Sequence, residues 1–328
     1  MKKIIGAVFI ILLGVALVLL YPVVKIRFTS PVSPPPPAAL SPESGRLRGH
    51  VEALSVRIGA RSVEDYRNLE AARRYIMGAL RQIGYTPELQ TYDWRGRAYS
   101  NVIATRPGTT KRDETVLIGA HYDTVEGTPG ADDNASGAAV LLELARSFRD
   151  ASPGRTLKMV FFTLEEPPLF RSESMGSAVY ARAAKAAGER IVAMVSLEML
   201  GYYRDAKGGQ AFPLPLMSLF FSTTPDFVAV VGNLASRDLV RRVSRSLENA
   251  AGLPVESLST VGFVPGVDFS DHRSFWEIGS PAVMITDTAF YRNPNYHGIG
   301  DTIDTLDFGR MGRLLRGLET AVAGLLEG

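Results

Sequence analysis

The stretch Leu117-Ile118-Gly119-Ala120-His121-Tyr122-Asp123 constrains this chain more than any other. An apolar run of strand character stops at a His and an Asp, and a loop then carries Gly130-Ala131-Asp132-Asp133-Asn134-Ala135-Ser136-Gly137. Beyond the loop, Ala138, Leu141, Leu142, Ala145 and Phe148 recur at helical spacing. One strand-loop-helix unit thus places an imidazole and several carboxylates at the carboxyl end of a strand, where open α/β sheets bind their ligands. Residues of this kind make half of a metal site, which the rest of the chain should complete.

The remaining pattern fits that frame. Strand-like segments are expected at 88–92, 101–105, 115–120, 157–164, 191–197, 227–231 and 282–286. Several, such as Met159-Val160-Phe161-Phe162, are apolar without alternation, as strands covered on both faces should be. Helical patterns fall between them, at 138–148, 176–187 and 239–250. Upstream, Leu47, Val51, Leu54 and Ile58 mark one amphipathic helix, and a second is expected over 65–83, ending at Gly84. Such alternation predicts an α/β domain: a mostly parallel, twisted mixed sheet with helices on both faces. The stretch 202–225, with Leu214, Leu216, Met217, Leu219, Phe220 and Phe221, fits no element. It reads as a pocket wall or as an ordinary packed loop.

Composition narrows the chemistry. The chain has no cysteine, so disulfides, thiolate catalysis and Cys-based metal sites are excluded. Formal charge is +2, and no long basic run interleaves with aromatics, which argues against a nucleic-acid partner. Lys2 and Lys3 precede an uncharged apolar run from Ile4 to Val24, long enough to span a bilayer and lacking a small-residue cleavage site. Residues 1–27 are therefore expected to be an N-terminal transmembrane anchor with flanking basic residues. Residues 28–43, dense in proline, are expected to be an extended linker, and 44–328 the catalytic domain. The short basic tail is expected inside and the large domain outside the membrane, an extracytoplasmic placement.

Carboxylates follow the later strands. Phe161-Phe162-Thr163-Leu164 runs into Glu165-Glu166, Val195-Ser196-Leu197 runs into Glu198, and Tyr296-His297 lies shortly before Asp301. Acidic groups so close to apolar strands are costly unless something positive meets them. A pair of divalent cations sharing one carboxylate would do so, with His121, Asp133, Glu166, Glu198 and His297 as ligands and Glu165 as a general base.

The segments His121-Tyr122-Asp123, Pro129-Gly130-Ala131-Asp132-Asp133-Asn134-Ala135-Ser136-Gly137, Glu165-Glu166, Ser196-Leu197-Glu198-Met199 and Tyr296-His297 resemble, in order and spacing, the M28 family of co-catalytic zinc aminopeptidases. The resemblance covers roughly residues 44–328. It implies the three-layer zinc-peptidase sandwich and two Zn2+, with Mn2+ or Co2+ as other possibilities. His121, Asp133 and Glu198 would hold one zinc; Asp133, Glu166 and His297 the other, with Asp133 bridging. Glu165 would be the base, and Asp123 would fix His121 by accepting from its other ring nitrogen. A cis peptide after the bridging Asp, here Asp133-Asn134, is also implied. The chain departs from the family pattern in Gly298-Ile299, where relatives usually carry Thr-Pro. Glu198 stands where some members have Asp.

The implied activity is removal of residues from peptide amino termini. Carboxypeptidase or dipeptidase action, a glutaminyl-cyclase-like acyl transfer using one zinc, and a catalytically inert ectodomain remain alternatives. Pocket walls are expected from 202–225 and 261–269; residue preference and oligomeric state are not declared. Asp132 is expected to be a turn or capping residue. Asn134-Ala135-Ser136 matches a glycosylation acceptor, but its place in this loop argues against use. Ser270-Asp271-His272 holds serine-triad residue types, yet adjacent residues cannot form the relay. Asp271 and His272 are expected to be structural. His50 is expected at the surface, and Glu143 on a solvated helix position.

Overall fold

The computed structural model describes residues 41–327. The anchor expected over 1–27 and nearly all of the linker expected over 28–43 lie outside them. Among the described residues, no helix is long and apolar enough to cross a membrane. Helical structure begins slightly before the expected domain boundary. Ser41 Oγ accepts from the Ser44 N–H at 3.3 Å and Pro42 sits in the first turn, both favourable at a helix start. The resulting helix α1 (Pro42–Val51) runs into a π-helical turn, Glu52–Ile58, which ends at Gly59 with φ +84°. Its face Leu47, Val51 and Leu54 is fully buried, as the spacing requires. Helix α2 (Tyr66–Ile83) buries Leu69, Ala72, Ile76, Leu80 and Ile83, and closes on left-handed Gly84.

Eight strands form one sheet: β1 (Glu88–Trp94), β2 (Arg97–Arg106), β3 (Lys111–His121), β4 (Arg155–Phe162), β5 (Arg190–Glu198), β6 (Val228–Asn233), β7 (Val255–Thr260) and β8 (Ala282–Thr286). Their order is β1-β2-β4-β3-β5-β8-β6-β7. The central strands β4, β3, β5 and β8 are parallel, as is the β6/β7 pair, while β1/β2, β2/β4 and β6/β8 pair antiparallel. The sheet is mixed, with its parallel part at the centre, where the apolar runs are longest.

Side-chain alternation assigns the layers. Val116, Ile118 and Ala120 of β3, with Val195, Leu197, Val283 and Ile285, belong to the larger core. That core also takes residues from α1, α2, α3 (Gly137–Ser147), α5 (Arg237–Ala250) and α7 (Phe308–Glu327). Leu117, Val160, Phe162 and Met194 point the other way, against α4 (Gly176–Ala186) and α6 (His272–Glu277). Helices therefore cover both faces of the sheet, in three layers.

Two surface expectations fail. Glu143 on α3 has a 1 % exposed side chain, held by Arg146 at 3.0 Å, Arg46 at 2.5 Å and His50 at 3.3 Å. His50 is half-buried and its Nδ1 meets the Tyr75 hydroxyl at 2.7 Å. Burial of α3 nearly all round under α1 explains both. The polar positions face a neighbouring helix rather than water.

Candidate metal centre

β3, β4 and β5 run parallel, so their carboxyl ends meet at one edge of the sheet. His121 closes β3 and is buried. Its Nε2 lies 3.4 Å from Asp133 Oδ1 and 3.3 Å from Glu198 Oε1. On the other side, His297 Nε2 lies 3.3 Å from Asp133 Oδ2 and 3.2 Å from Glu166 Oε2. Asp133 thus sits between two imidazoles, one carboxylate oxygen directed at each. Ligand-type atoms of His121, Asp133 and Glu198 lie within 4.8 Å of one another, as do those of Asp133, Glu166 and His297, and of His121, Glu165 and Glu166. All six residues expected as ligands or base are brought into this one cluster.

The loop before α3 is shaped around Asp133. Gly130 has φ +58°, and a Cβ there would fall 2.4 Å from the Asp133 carbonyl oxygen, so only glycine fits. The Asp133-Asn134 peptide is cis, as the resemblance implied. Asn134 is fully buried, so it offers no glycosylation site. Its Nδ2 donates to Leu197 O at 2.9 Å and its Oδ1 accepts from Gly137 N at 3.0 Å and Met199 N at 3.2 Å. These bonds tie the Asp133 loop to the end of β5, where Glu198 stands. Asp301 accepts from the backbone N–H groups of Asp132 at 2.8 Å and Asp133 at 3.0 Å. Asp132 belongs to none of those three groups of ligand-type atoms. Its carboxylate accepts from Gly201 N and Asn293 Nδ2, both at 2.8 Å, and so ties together the loops after β5 and β8.

Arg61 escaped sequence reading because it lies far from every motif. It is fully buried, and its guanidinium donates to the carbonyls of Tyr122 at 2.9 Å, Pro129 at 2.7 Å and Gly130 at 2.9 Å. The strut props both ends of the loop that follows His121.

Glu165 and Glu166 follow β4 after Leu164, whose φ of +59° breaks strand alternation and lets consecutive carboxylates approach one site. The Pro167-Pro168 bond beyond them is cis. Asp123 stands beside the ring of His121, on its Nδ1 side. Its Oδ1 is 3.6 Å from His121 Nδ1, a charge contact slightly longer than a direct hydrogen bond. The two carboxylate oxygens also accept from the backbone N–H groups of Glu165 at 3.1 Å and Glu166 at 3.0 Å. Two residues past β3, Asp123 faces the turn after β4 more closely than the ring of His121.

Ser270 drew notice only as part of a dismissed triad, yet its Oγ donates to Glu198 Oε2 at 2.7 Å and meets Ser196 Oγ at 2.8 Å. No relay forms along Ser270-Asp271-His272: His272 Nε2 pairs with Val267 O at 2.8 Å. Burial pushes His272 down to about 4, so it stays neutral. Asp271 is wholly buried, and burial raises its carboxyl to about 7.

Charge accounts for the rest. Glu165, Glu166, Glu198 and Asp133 are all buried beside only two imidazoles. Burial lifts Glu165, Glu166 and Glu198 above the usual carboxylate range; repulsion adds to it, from Glu166 and Glu198 at Glu165 and from Asp133 at the other two. Asp133 moves the other way. Burial opposes its charge, but the hydrogen bonds of His121 and His297 outweigh that and hold it well below its ordinary value. Burial also opposes charge on His297, yet Asp133 and Glu166 raise it to about 10. Concentrated buried negative charge with imidazole nitrogens and carboxylate oxygens facing inward is a donor set for divalent cations.

Beside the cluster lies an open cavity that reaches Glu198. Its floor is the sheet face at Ala229, Val231 and Met284, and aromatic residues such as Phe221 and Phe269 wall it. Both stretches expected as pocket walls, 202–225 and 261–269, contribute to it.

The chain is 42 % identical over 332 residues, 98 % of each chain, to the Escherichia coli (strain K12) protein YfbL, whose name assigns no activity. It is 30 % identical over 225 residues to a probable leucine aminopeptidase of Trichophyton verrucosum, covering 64 % of this chain and 53 % of that protein. It therefore spans about half the length of the curated leucine aminopeptidases it matches. In fold it resembles BSAP, a zinc aminopeptidase from Bacillus subtilis, with TM-score 0.71 and 15 % identity over 88 % of this chain and 97 % of that one. It also resembles Bacteroides thetaiotaomicron glutaminyl cyclase, with TM-score 0.64 and 17 % identity over 89 % and 99 %. The description Peptidase family M28 matches residues 101–322, which include every residue of the cluster, and the chain belongs to that family.

Proposed function

We propose that the protein is a zinc-dependent aminopeptidase working through two metal ions, anchored to a membrane by residues 1–27 with its catalytic domain, residues 44–328, on the extracytoplasmic side. The observation that carries the reading is the division of Asp133: Oδ1 faces His121 Nε2 at 3.4 Å and Oδ2 faces His297 Nε2 at 3.3 Å. In this reading His121, Asp133 and Glu198 hold one zinc, and Asp133, Glu166 and His297 hold the other. When bound, the ions polarise the scissile carbonyl and ease deprotonation of the attacking water.

The chain's own groups do the remainder. Glu165 is spare, since neither triad needs it. Its carboxylate takes the proton of the attacking water and returns it to the departing amine nitrogen. Asp123 fixes the backbone of Glu165 and Glu166, and Ser270 orients Glu198. The apolar cavity receives the side chain at the cleaved end, which favours leucine- or phenylalanine-sized residues. Glutaminyl-cyclase-like acyl transfer would use a single zinc; the complete second ligand set favours the peptidase.

The test is hydrolysis of leucyl-p-nitroanilide by the purified chain, beside its Glu165→Gln variant. The expected result is turnover by the parent, and a loss of about 10²–10⁴-fold in the variant at unchanged metal content. Near-normal turnover by the variant removes Glu165 from the base role. Cyclisation of glutaminyl peptides without hydrolysis overturns the peptidase reading.

A further inference from the structure

Helices α5 and α7 pack side by side in the outer layer, and a groove between them is lined by Asp238, Arg241, Arg242, Arg245, Ala321 and Leu325. The three arginines are exposed, whereas Ala321 and Leu325 are buried and form an apolar floor. Asp238 is the groove's only carboxylate, and it pairs with Arg241. Arg242 donates to the Gly324 carbonyl at 3.2 Å, and neither it nor Arg245 has an ion-pair partner among the described residues. Exposed Arg237 continues the basic residues along α5. Nothing in the catalytic cluster uses these residues.

We infer that this face docks on the anionic phospholipid headgroups of the bilayer that holds the anchor, so that the domain lies against the membrane in one orientation. The inference rests on the proposed anchor. Three observations support the occupant. Guanidinium groups over an apolar floor suit phosphate oxygens above acyl carbon. The preceding chain enters at this layer: a Cβ on Gly312 of α7 would fall 2.4 Å from Ser44 Oγ and 3.6 Å from Ser41 Oγ, so the start of α1 lies directly on α7. From Gly312 to Gly324 is about 18 Å of helix. The residues 28–40 can reach no further than about 45 Å. The groove is therefore held within reach of the bilayer, where high effective concentration lets weak ionic contacts act.

The chain lacks cysteine, so single labels report cleanly. Full-length protein carrying Ser246→Cys, in the groove, would be nitroxide-labelled in nanodiscs of phosphatidylcholine alone or with about 30 % phosphatidylglycerol. Accessibility of the label to a water-soluble relaxation agent should fall about threefold in the anionic discs. It should recover in 0.5 M NaCl, where screening acts within about 4 Å, and in the Arg241→Gln/Arg242→Gln/Arg245→Gln variant. A label at Ala183→Cys, on α4 across the sheet, should not respond. Equal accessibility in both lipids with the chain retained in the discs overturns docking and leaves the anchor. Protection by inorganic phosphate in phosphatidylcholine discs makes the groove a free-phosphate site and overturns lipid docking. Release of the intact chain on washing removes the anchor and the docking together.

Discussion

Replacing Asp123 by Asn separates two accounts of how the cluster is held. The carboxylate is buried and accepts from the N–H groups of Glu165 and Glu166 at 3.1 and 3.0 Å. An amide keeps one acceptor oxygen and turns an NH2 toward the other N–H. One buried N–H is then orphaned, at a cost of about 1–3 kcal/mol, and the surviving bond loses its charge assistance. A total near 2–4 kcal/mol corresponds to a Tm lower by roughly 3–7 °C in a domain of this size. Displacing Glu165 and Glu166 by even an ångström should also lower kcat by about 10²-fold. The assay is thermal unfolding of chelated protein in a double-mutant cycle with His121→Ala. If Asp123 acts on the backbone after β4, its cost persists undiminished in the His121→Ala background. If the cost disappears there, Asp123 acts through the imidazole and the present reasoning is refuted.

Other outcomes follow from the same geometry. Ser270→Ala removes the 2.7 Å bond to Glu198 Oε2 and should weaken zinc retention by about 10-fold, read by competition with a chelator; undiminished affinity would show that Glu198 is held without it. Ala229→Phe puts a ring into the floor of the cavity, so kcat/KM for phenylalanyl substrates should fall about 10-fold while alanyl substrates change little. Equal losses for both would place the side-chain pocket elsewhere. Glu143 is driven in two directions: burial raises its carboxyl, but His50, Arg46 and Arg146 together hold it down at about 2. Its folded value lies below its unfolded one, so its contribution is present above about pH 4.5 and is lost as pH falls toward 2. Glu143→Gln should therefore lower stability at pH 7 by up to about 3 kcal/mol and flatten the acid limb of a urea-midpoint profile between pH 4.5 and 2. Parallel acid limbs in parent and variant would contradict this.

Much of the architecture was legible because the central strands are apolar throughout and end in chemistry-bearing residues. His121, Glu198 and the Glu165-Glu166 pair announce themselves as polar groups where an apolar run stops. Edge strand β7, Val255-Glu256-Ser257-Leu258-Ser259-Thr260, has no apolar run and is invisible by that rule. Helix α7 was legible in principle, since Met311, Leu314, Leu315, Leu318, Val322 and Leu325 keep helical spacing. Arg61 and Ser270 could not be found from spacing, because their value lies in contacts with backbone or carboxylate far away in sequence. Asp123 was singled out, but sequence could not separate a 3.6 Å approach to a ring from two bonds to a neighbouring turn. Glu143 was misread because a charged residue on an amphipathic helix is usually solvated, and here α1 lies over it.

The central claim is that Asp133 is shared by two metal ions, and counting metals per chain by plasma mass spectrometry tests it most directly. The account predicts about two zinc ions in the parent, about one in His121→Ala and in His297→Ala, and close to none in Asp133→Ala. A fully active parent carrying one zinc, or an Asp133→Ala variant that keeps both, would contradict it.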